Sequence, residues 1–447
     1  MLYTLLKLLY KAGLWFFFRK LEVRHAHLIP DNGPLLVVSN HPNTFMDPIV
    51  IAAQLKQPVF FIAKSTVFGS KFQNWMLRQM HLIPIHRKED NPNATISNDD
   101  AFAASFKALD QQKTLLIFPE GNSFNQRRLR KLKTGTARIA LGAASESNRE
   151  VKILPVGLNY SAPTRFRSDV FVNVGKPISV SDYLATYQHD GPAAVLALTE
   201  EIRVRLEKLI IHTPTDEEDE LARQVEAIYR DRLSPIVPAG ALPQEQDFIV
   251  TKGIIKSITH FSQTEPDRIA TIKQELSNYT RQLQRLGIQD PVLSKESSDV
   301  MKQSIIGLLY IILGFPIYLF GLVHNYIPYI VPSKVARAVT KEEEWFAPIM
   351  LTVGIFTFPI CYGLELWLAH EWLNIAGIKL LLYFLSLPLS GFFTLHYWNT
   401  LQRTQSHWLL LRLFYSRQNI VKKLRAQRQH LIALLEKAQQ DYLQKVS

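Results

Sequence analysis

Four short apolar runs punctuate the first 160 residues, and each ends in polar side chains. They are PLLVVS (34–39) leading into NHPNTFMDP (Asn40–Pro48), LIPIHR (Leu82–Arg87), LLIFPEGNS (Leu115–Ser123) and VKILPVGLNY (Val151–Tyr160). Runs of this length, rich in branched apolar residues and bounded by Pro, Gly and Asn, predict buried strands. In open α/β sheets, sites collect at the carboxyl ends of the strands, where these polar residues fall. From Val180 to about Val300 the pattern turns helical and polar. Glu200–Leu209 intersperses charges with apolar residues, PTDEEDE (Pro214–Glu220) reads as an acid-rich helix start, PAGALPQEQ (Pro238–Gln246) as a break, and Asp267–Leu286 as another amphipathic helix.

Three long apolar stretches follow, Ser304–Ile330, Phe346–Ala369 and Ile375–Trp398. The latter two are long enough to cross about 30 Å of hydrocarbon as helices. HEWLN, between them, has no Lys or Arg, while Lys334, Arg337 and Lys341 precede the pair and Arg403 follows it. The positive-inside rule therefore puts both outer ends of this hairpin in the cytoplasm. Gly314, Pro316 and Pro328 interrupt the first stretch. If the N-terminal domain is cytoplasmic too, that stretch is expected to return to its own side as a re-entrant or interfacial hairpin, because a simple span would separate His41 from the C-terminus.

At the chain ends the pattern is amphipathic. MLYTLLKLLYKAGLWFFFRK sets Lys7 and Lys11 one helical turn apart, without the uninterrupted apolar core and small-residue cleavage site of a secretory signal. It predicts an amphipathic or shallowly inserted helix with Trp15–Phe18 at the bilayer interface; the alternative is a buried core helix. The tail from Asn399 has nine Lys or Arg against Glu436 and Asp441, and Leu410, Phe414, Ile420, Leu424, Leu431, Leu435, Ala438 and Tyr442 recur near helical spacing. Such a helix lies on the membrane, pairs with a partner, or packs on the middle region. These shifts divide the chain into 1–22, 23–195, 196–300, 301–400 and 401–447.

With 447 residues, 47% of them hydrophobic, the chain holds one α/β domain and more. Cys361 is its lone cysteine, so no internal disulfide framework exists. The net charge is +12 with a pI near 9.5, and Arg127, Arg128, Arg130, Lys131 and Lys133 cluster after the third run. Without interleaved aromatics, and beside so much apolar sequence, this cluster points to a membrane surface or a phosphate rather than to nucleic acid. A basic face near anionic headgroups gains about 1 kcal/mol per Lys or Arg. His25 and His27 alternate as on one strand face, but no further ligands lie nearby, and no metal site is assigned.

The candidate chemistry centres on His41 and Asp47. A histidine with a carboxylate close behind it supplies a base and the group that orients it, the parts needed to deprotonate a hydroxyl. Residues six apart lie about 240° round a regular helix, so one helix cannot aim both side chains at one proton. Pro42 disfavours helix at His41, which places the imidazole on a loop ahead of a helix carrying Asp47. No GxSxG elbow is present and Cys361 lies in an apolar segment, so direct attack by an acceptor hydroxyl is simpler than a covalent enzyme intermediate.

The four blocks, in this order and at these separations, resemble the glycerophosphate and lysophosphatidate acyltransferases. The resemblance covers roughly the first half of the chain. It implies an α/β domain with a mixed sheet flanked by helices, here followed by a helical region and C-terminal transmembrane helices. It also implies His41 as general base on a glycerol hydroxyl, Asp47 as its orienting group and Arg87 as the grip on the acceptor's phosphate. Glu120 and Gly121 would shape the acceptor site, Pro155 would contribute to the acyl-donor pocket, and Lys133 with Gly135 fits the family's basic residue and glycine after the Glu-Gly block. Two features depart from the family pattern. Five residues rather than four separate His41 from Asp47, as in a branch of glycerol-phosphate acyltransferases, and FPEGNS lacks the usual Thr and Arg after the glycine.

The expected function is transfer of a fatty acyl chain from acyl-CoA or acyl carrier protein to glycerol 3-phosphate or 1-acylglycerol 3-phosphate in phospholipid synthesis. The expected setting is an integral membrane protein with its catalytic domain on the cytoplasmic face. No cofactor beyond the acyl donor, no metal and no nucleic-acid partner is expected. The alternatives are an acyltransferase acting on another lysolipid and a non-catalytic lipid-binding membrane protein.

Overall fold

The computed structural model describes residues 2–86, 98–147, 149–233, 240–293, 297–416 and 418–446. The chain divides into two compact units, Met1–His212 with Pro332–Ile355, and Thr213–Val331 with Phe356–Ser447.

The first unit is built on a sheet of β1 (Lys20–Arg24), β2 (Leu35–Ser39), β3 (Val59–Lys64), β4 (Leu82–Ile85), β5 (Thr114–Ile117), β6 (Lys152–Tyr160), β7 (Asp169–Val174) and β8 (Ile178–Ser179). The order is β1-β7-β6-β2-β5-β3-β4, with β8 also on β6. From β6 to β4 the neighbours are parallel, whereas β7 and β8 run antiparallel to β6. The sheet is therefore mixed, and the four apolar runs are β2, β4, β5 and β6. Side chains alternate across it, as the period of two requires. Leu35 and Val37 face a layer containing α1 (Leu2–Phe17) and α2 (Met46–Gln54), while Leu36 and Val38 face one containing α5 (Gly135–Ser147) and α7 (Gly191–Leu209). The outer elements are α3 (Lys71–Gln79), α4 (Asp99–Asp110) and α6 (Leu184–His189). Being covered on both faces is what makes these strands read as continuous apolar runs.

Two sequence expectations shift here. The charged pattern of Glu200–Leu209 suggested a separate helical region from 196. Instead Leu198, Ile202 and Leu206 of α7 pack against the sheet, and the compact unit runs on to His212. The aromatic cluster at Trp15–Phe18 splits: Trp15 and Phe16 are exposed, with Leu5 and Leu8, but Phe17 and Phe18 are buried beside Leu14 in the α2 layer. Each such buried side chain contributes roughly 1.5–3 kcal/mol. This is enough to seat α1 on the domain while its other face stays apolar and open.

The second unit contains α8 (Asp216–Leu233), α9 (Pro243–Thr264), α10 (Pro266–Leu286), α11 (Asp290–Leu293) and α15 (Gln418–Val446). Of the three options for the basic tail, it packs on the middle region. Leu424, Leu431 and Leu435 are buried, Tyr229 donates to Gln439 at 2.7 Å, and Arg268 and Arg428 pair with Asp441 and Asp290 at 2.8 and 2.9 Å.

Three helices, α12 (Ser297–Val339), α13 (Phe346–Leu373) and α14 (Ile378–Ser416), are long and apolar enough to cross a membrane. The expected return of Ser304–Ile330 is not found; α12 runs unbroken for 43 residues through Gly314, Pro316 and Pro328. In an apolar helix, neighbouring helices support the positions that a proline weakens. The glycines serve packing. Gly307, Gly314 and Gly321 recur every seven residues, and a Cβ on them would lie 2.3 Å from Thr404 Oγ1, 2.9 Å from the Phe393 ring and 2.4 Å from the Ser390 carbonyl oxygen. They form a small-residue seam that lets α14 approach closely.

Candidate active site

β2 ends in Ser39 and hands the chain to Asn40, whose amide imitates a strand partner. Its Nδ2 donates to the Leu158 carbonyl at 2.9 Å, and its Oδ1 accepts the Leu158 N–H at 2.8 Å. The end of β2 is thereby fastened to β6, and His41 follows on a loop. The next residues form a tight turn in which the Met46 N–H bonds the Asn43 carbonyl at 2.8 Å and Thr44 takes a positive φ of 29°. This turn absorbs the five-residue spacer and starts α2 at Met46, so Asp47 lies in its first turn.

The two side chains meet: His41 Nδ1 lies 2.8 Å from Asp47 Oδ2. Asp47 is completely buried, and its carboxylate also accepts the Asn43 N–H at 2.7 Å and the Tyr160 hydroxyl at 2.7 Å. Burial pushes this carboxyl above its ordinary value, while the donors, His41 first, pull it back. Burial beside Asp47 drives the Tyr160 phenol far up, so Tyr160 stays a donor. With Nδ1 turned to Asp47, the imidazole presents Nε2 outward, and its ring stacks on Phe118 at 3.9 Å between centroids and 11° between planes. A base oriented through one nitrogen and free at the other can take a proton from a hydroxyl.

Glu120 does more than shape a neighbouring surface. Its Oε1 accepts the His41 N–H at 2.9 Å and its Oε2 accepts the Arg130 N–H at 3.0 Å. One buried carboxylate thus ties the His41 loop to the basic loop. Burial raises its pKa against the pull of those two donors. The His41 carbonyl in turn accepts the Phe124 N–H at 3.0 Å. Gly121 sits at φ 80°, where a Cβ would come within 2.8 Å of Lys133 Cε, so the glycine lets that lysine lie across the chain beside the dyad. The basic segment is an irregular loop pinned by buried Leu129 and Leu132, with Lys131 and Lys133 exposed between and beyond them. The hairpin between α12 and α13 also reaches this turn: Thr44 Oγ1 donates to the Glu344 carbonyl at 2.7 Å, and Phe45 meets Trp345 edge-on at 5.1 Å.

His41, Asp47, Glu120, Gly121 and Lys133 are therefore gathered in one place. Pro155 is not: it is buried within β6, on the face opposite Leu154 and Val156, against Gly175 and the α7 layer. Arg87 lies outside the described residues. Sequence reasoning missed Asn40, Asn43 and Tyr160. Asn40 and Asn43 stand within the motif itself, whereas nothing in an apolar strand marks its final tyrosine as a partner for a carboxylate 113 positions earlier. Among the described residues, no group of three or more His, Cys, Asp or Glu side chains gathers as a metal site.

Residues 20–159 match the family model described as Acyltransferase. The chain is 22% identical over 400 residues to glycerol-3-phosphate O-acyltransferase 1 of Saccharomyces cerevisiae, covering 68% of this chain and 51% of that protein. It is 29% identical over 189 residues to the 1-acyl-sn-glycerol-3-phosphate acyltransferase of Streptococcus pneumoniae, covering 41% and 64%. It thus spans about half the length of the yeast relative. Among solved structures, the 1-acyl-sn-glycerophosphate acyltransferase of Thermotoga maritima aligns at 21% identity over 45% of this chain and 80% of that one, with a TM-score of 0.32. On the strength of the family match and these relatives, residues 20–159 carry an acyltransferase-family domain.

Proposed function

We propose that this protein is a membrane-bound O-acyltransferase of phospholipid synthesis. It moves a fatty acyl group from a thioester, acyl-CoA or acyl carrier protein, to glycerol 3-phosphate or 1-acylglycerol 3-phosphate. The observation that carries the proposal is the 2.8 Å contact between His41 Nδ1 and a fully buried Asp47. Nε2 of His41 takes the acceptor's hydroxyl proton as that oxygen bonds to the thioester carbonyl carbon. Collapse of the tetrahedral intermediate breaks the C–S bond, and the thiolate leaves with the proton returned by the imidazolium. Asp47 steadies the imidazolium between these steps, and base catalysis of this kind contributes on the order of 10²–10⁴-fold. Lys133 and, from the resemblance, Arg87 are assigned to the acceptor's phosphate.

Lys334, Arg337 and Lys341 belong to the same compact unit as His41, and Glu344 and Trp345 touch the turn that carries it. The test is an assay of purified protein with labelled acyl-CoA or acyl carrier protein against glycerol 3-phosphate, 1-acylglycerol 3-phosphate, glycerol and lysophosphatidylcholine. Acylation of the two glycerol phosphates is expected. Transfer only to the other two, or none from either donor, overturns the proposal.

A further inference from the structure

Two polar groups stand side by side on α12 and behave differently. Asn325 is buried and satisfied: its Nδ2 donates to the Gly321 and Leu387 carbonyls at 3.0 and 3.1 Å, and its Oδ1 accepts the Tyr362 hydroxyl at 2.5 Å. That is interhelical bonding of the kind that holds membrane helices together. His324, one step round the helix, is not enclosed. Its Nδ1 lies 3.2 Å from Glu365 Oε2 of α13 and 3.5 Å from the Tyr383 hydroxyl of α14, and the His324 and Glu365 side chains remain 24% and 21% exposed. Phe320 covers the ring from one side at 4.3 Å. Among the described residues nothing further bonds Nε2 of His324 or Oε1 of Glu365.

An ionisable pair on a membrane helix is costly unless it has a use or a partner. Depth narrows what the partner is. Glu365 stands eight residues before the end of α13 and Tyr383 five after the start of α14, which is about 12 and about 8 Å inside the helix ends. With those helix ends at the bilayer surface, a lipid reaches that level with its glycerol backbone and first carbons, not with its headgroup. Chemistry narrows it further. With Nδ1–H directed at the carboxylate, Nε2 and Oε1 are both acceptors and call for an O–H donor. Phosphate and ester oxygens only accept, and a phosphate would also be repelled by Glu365.

We infer that His324 and Glu365, flanked by Tyr383, form a binding site for a membrane lipid with a free glycerol hydroxyl, such as a diacylglycerol or a monoacylglycerol phosphate. The inference rests on α12–α14 lying in a bilayer and is independent of acyl transfer at His41.

The test uses the full chain in phosphatidylcholine nanodiscs with a photoactivatable diacylglycerol as probe. Labelling is expected to map to the peptides carrying His324, Glu365 and Tyr383. It should fall at least fivefold when unlabelled diacylglycerol or monoacylglycerol phosphate competes, and not with phosphatidate, whose hydroxyls are both esterified. Stronger competition by one of the first two identifies the lipid. His324→Phe and Glu365→Gln should each reduce labelling several-fold at unchanged melting temperature, whereas His41→Ala leaves it intact. Equal competition by phosphatidate, unchanged labelling in both bundle variants, or loss in His41→Ala overturns the site. Should either bundle variant unfold, the competition on the unaltered protein still decides.

Discussion

Tyr160→Phe tests how the dyad is held. The substitution keeps the ring, which packs 6.0 Å from Phe18, and deletes the hydroxyl that donates to Asp47 Oδ1 at 2.7 Å. Asp47 then keeps the His41 and Asn43 donors at 2.8 and 2.7 Å but has one carboxylate oxygen without its donor in a fully buried setting. A hydrogen bond to a charged group contributes about 1.5–3 kcal/mol, and one pH unit corresponds to about 1.36 kcal/mol. The donor favours the ionised carboxylate, so its loss makes Asp47 take up a proton at higher pH. The acid limb of the kcat/KM profile is therefore expected to move up by about one to two pH units, with activity recovering toward that of the unaltered protein on the alkaline side. The assay is acyl transfer measured from acid to mildly alkaline pH, with melting checked at each end. An acid limb that stays in place in a folded variant refutes the reasoning, and so does a uniform loss at every pH.

Other residues carry further expectations. Glu120→Gln leaves one amide oxygen where two carboxylate oxygens held the His41 and Arg130 N–H groups, and it is expected to cost about 1–3 kcal/mol of stability and to lower kcat, read by melting and turnover. Burial raises the Glu120 pKa in the folded protein, so its contribution is most favourable in acid and declines as pH rises from the ordinary carboxylate range through the folded value; the Gln variant should flatten that part of the melting profile. Gly121→Ala forces a Cβ at φ 80° against Lys133, and about 1–2 kcal/mol of destabilisation with a higher KM for the phosphorylated acceptor is expected. Gly321→Ala should loosen α12 from α14 by about 1–3 kcal/mol, while Gly363→Ala, with no atom within 4 Å of its added Cβ, serves as the neutral control in the same melting series.

The strands and the dyad were legible because their signals are local. Apolar runs covered on both faces stay apolar throughout, and a histidine with the carboxylate it meets fits within one nine-residue segment. What lay hidden depends on chain segments far apart. Asp47 is held by a tyrosine at the end of β6, and the His41 N–H by Glu120 at the end of β5. The spacer closes through a positive φ at Thr44 that no composition marks. Gly314, Pro316 and Pro328 break helices in water, whereas in an apolar helix glycine can be a contact and proline can be supported by its neighbours. Phe17 and Phe18 misled for a related reason: an aromatic run at the end of an amphipathic helix does not show which members turn inward.

The most direct measurement is acyl transfer by His41→Ala beside the unaltered protein, with purified samples, labelled acyl donor and glycerol 3-phosphate, and with melting and membrane retention followed in parallel. In the proposed mechanism the imidazole is the proton acceptor, so turnover should fall on the order of 10²–10⁴-fold while melting and retention stay the same. Turnover within a few-fold of the unaltered protein contradicts the assignment of His41 as the base.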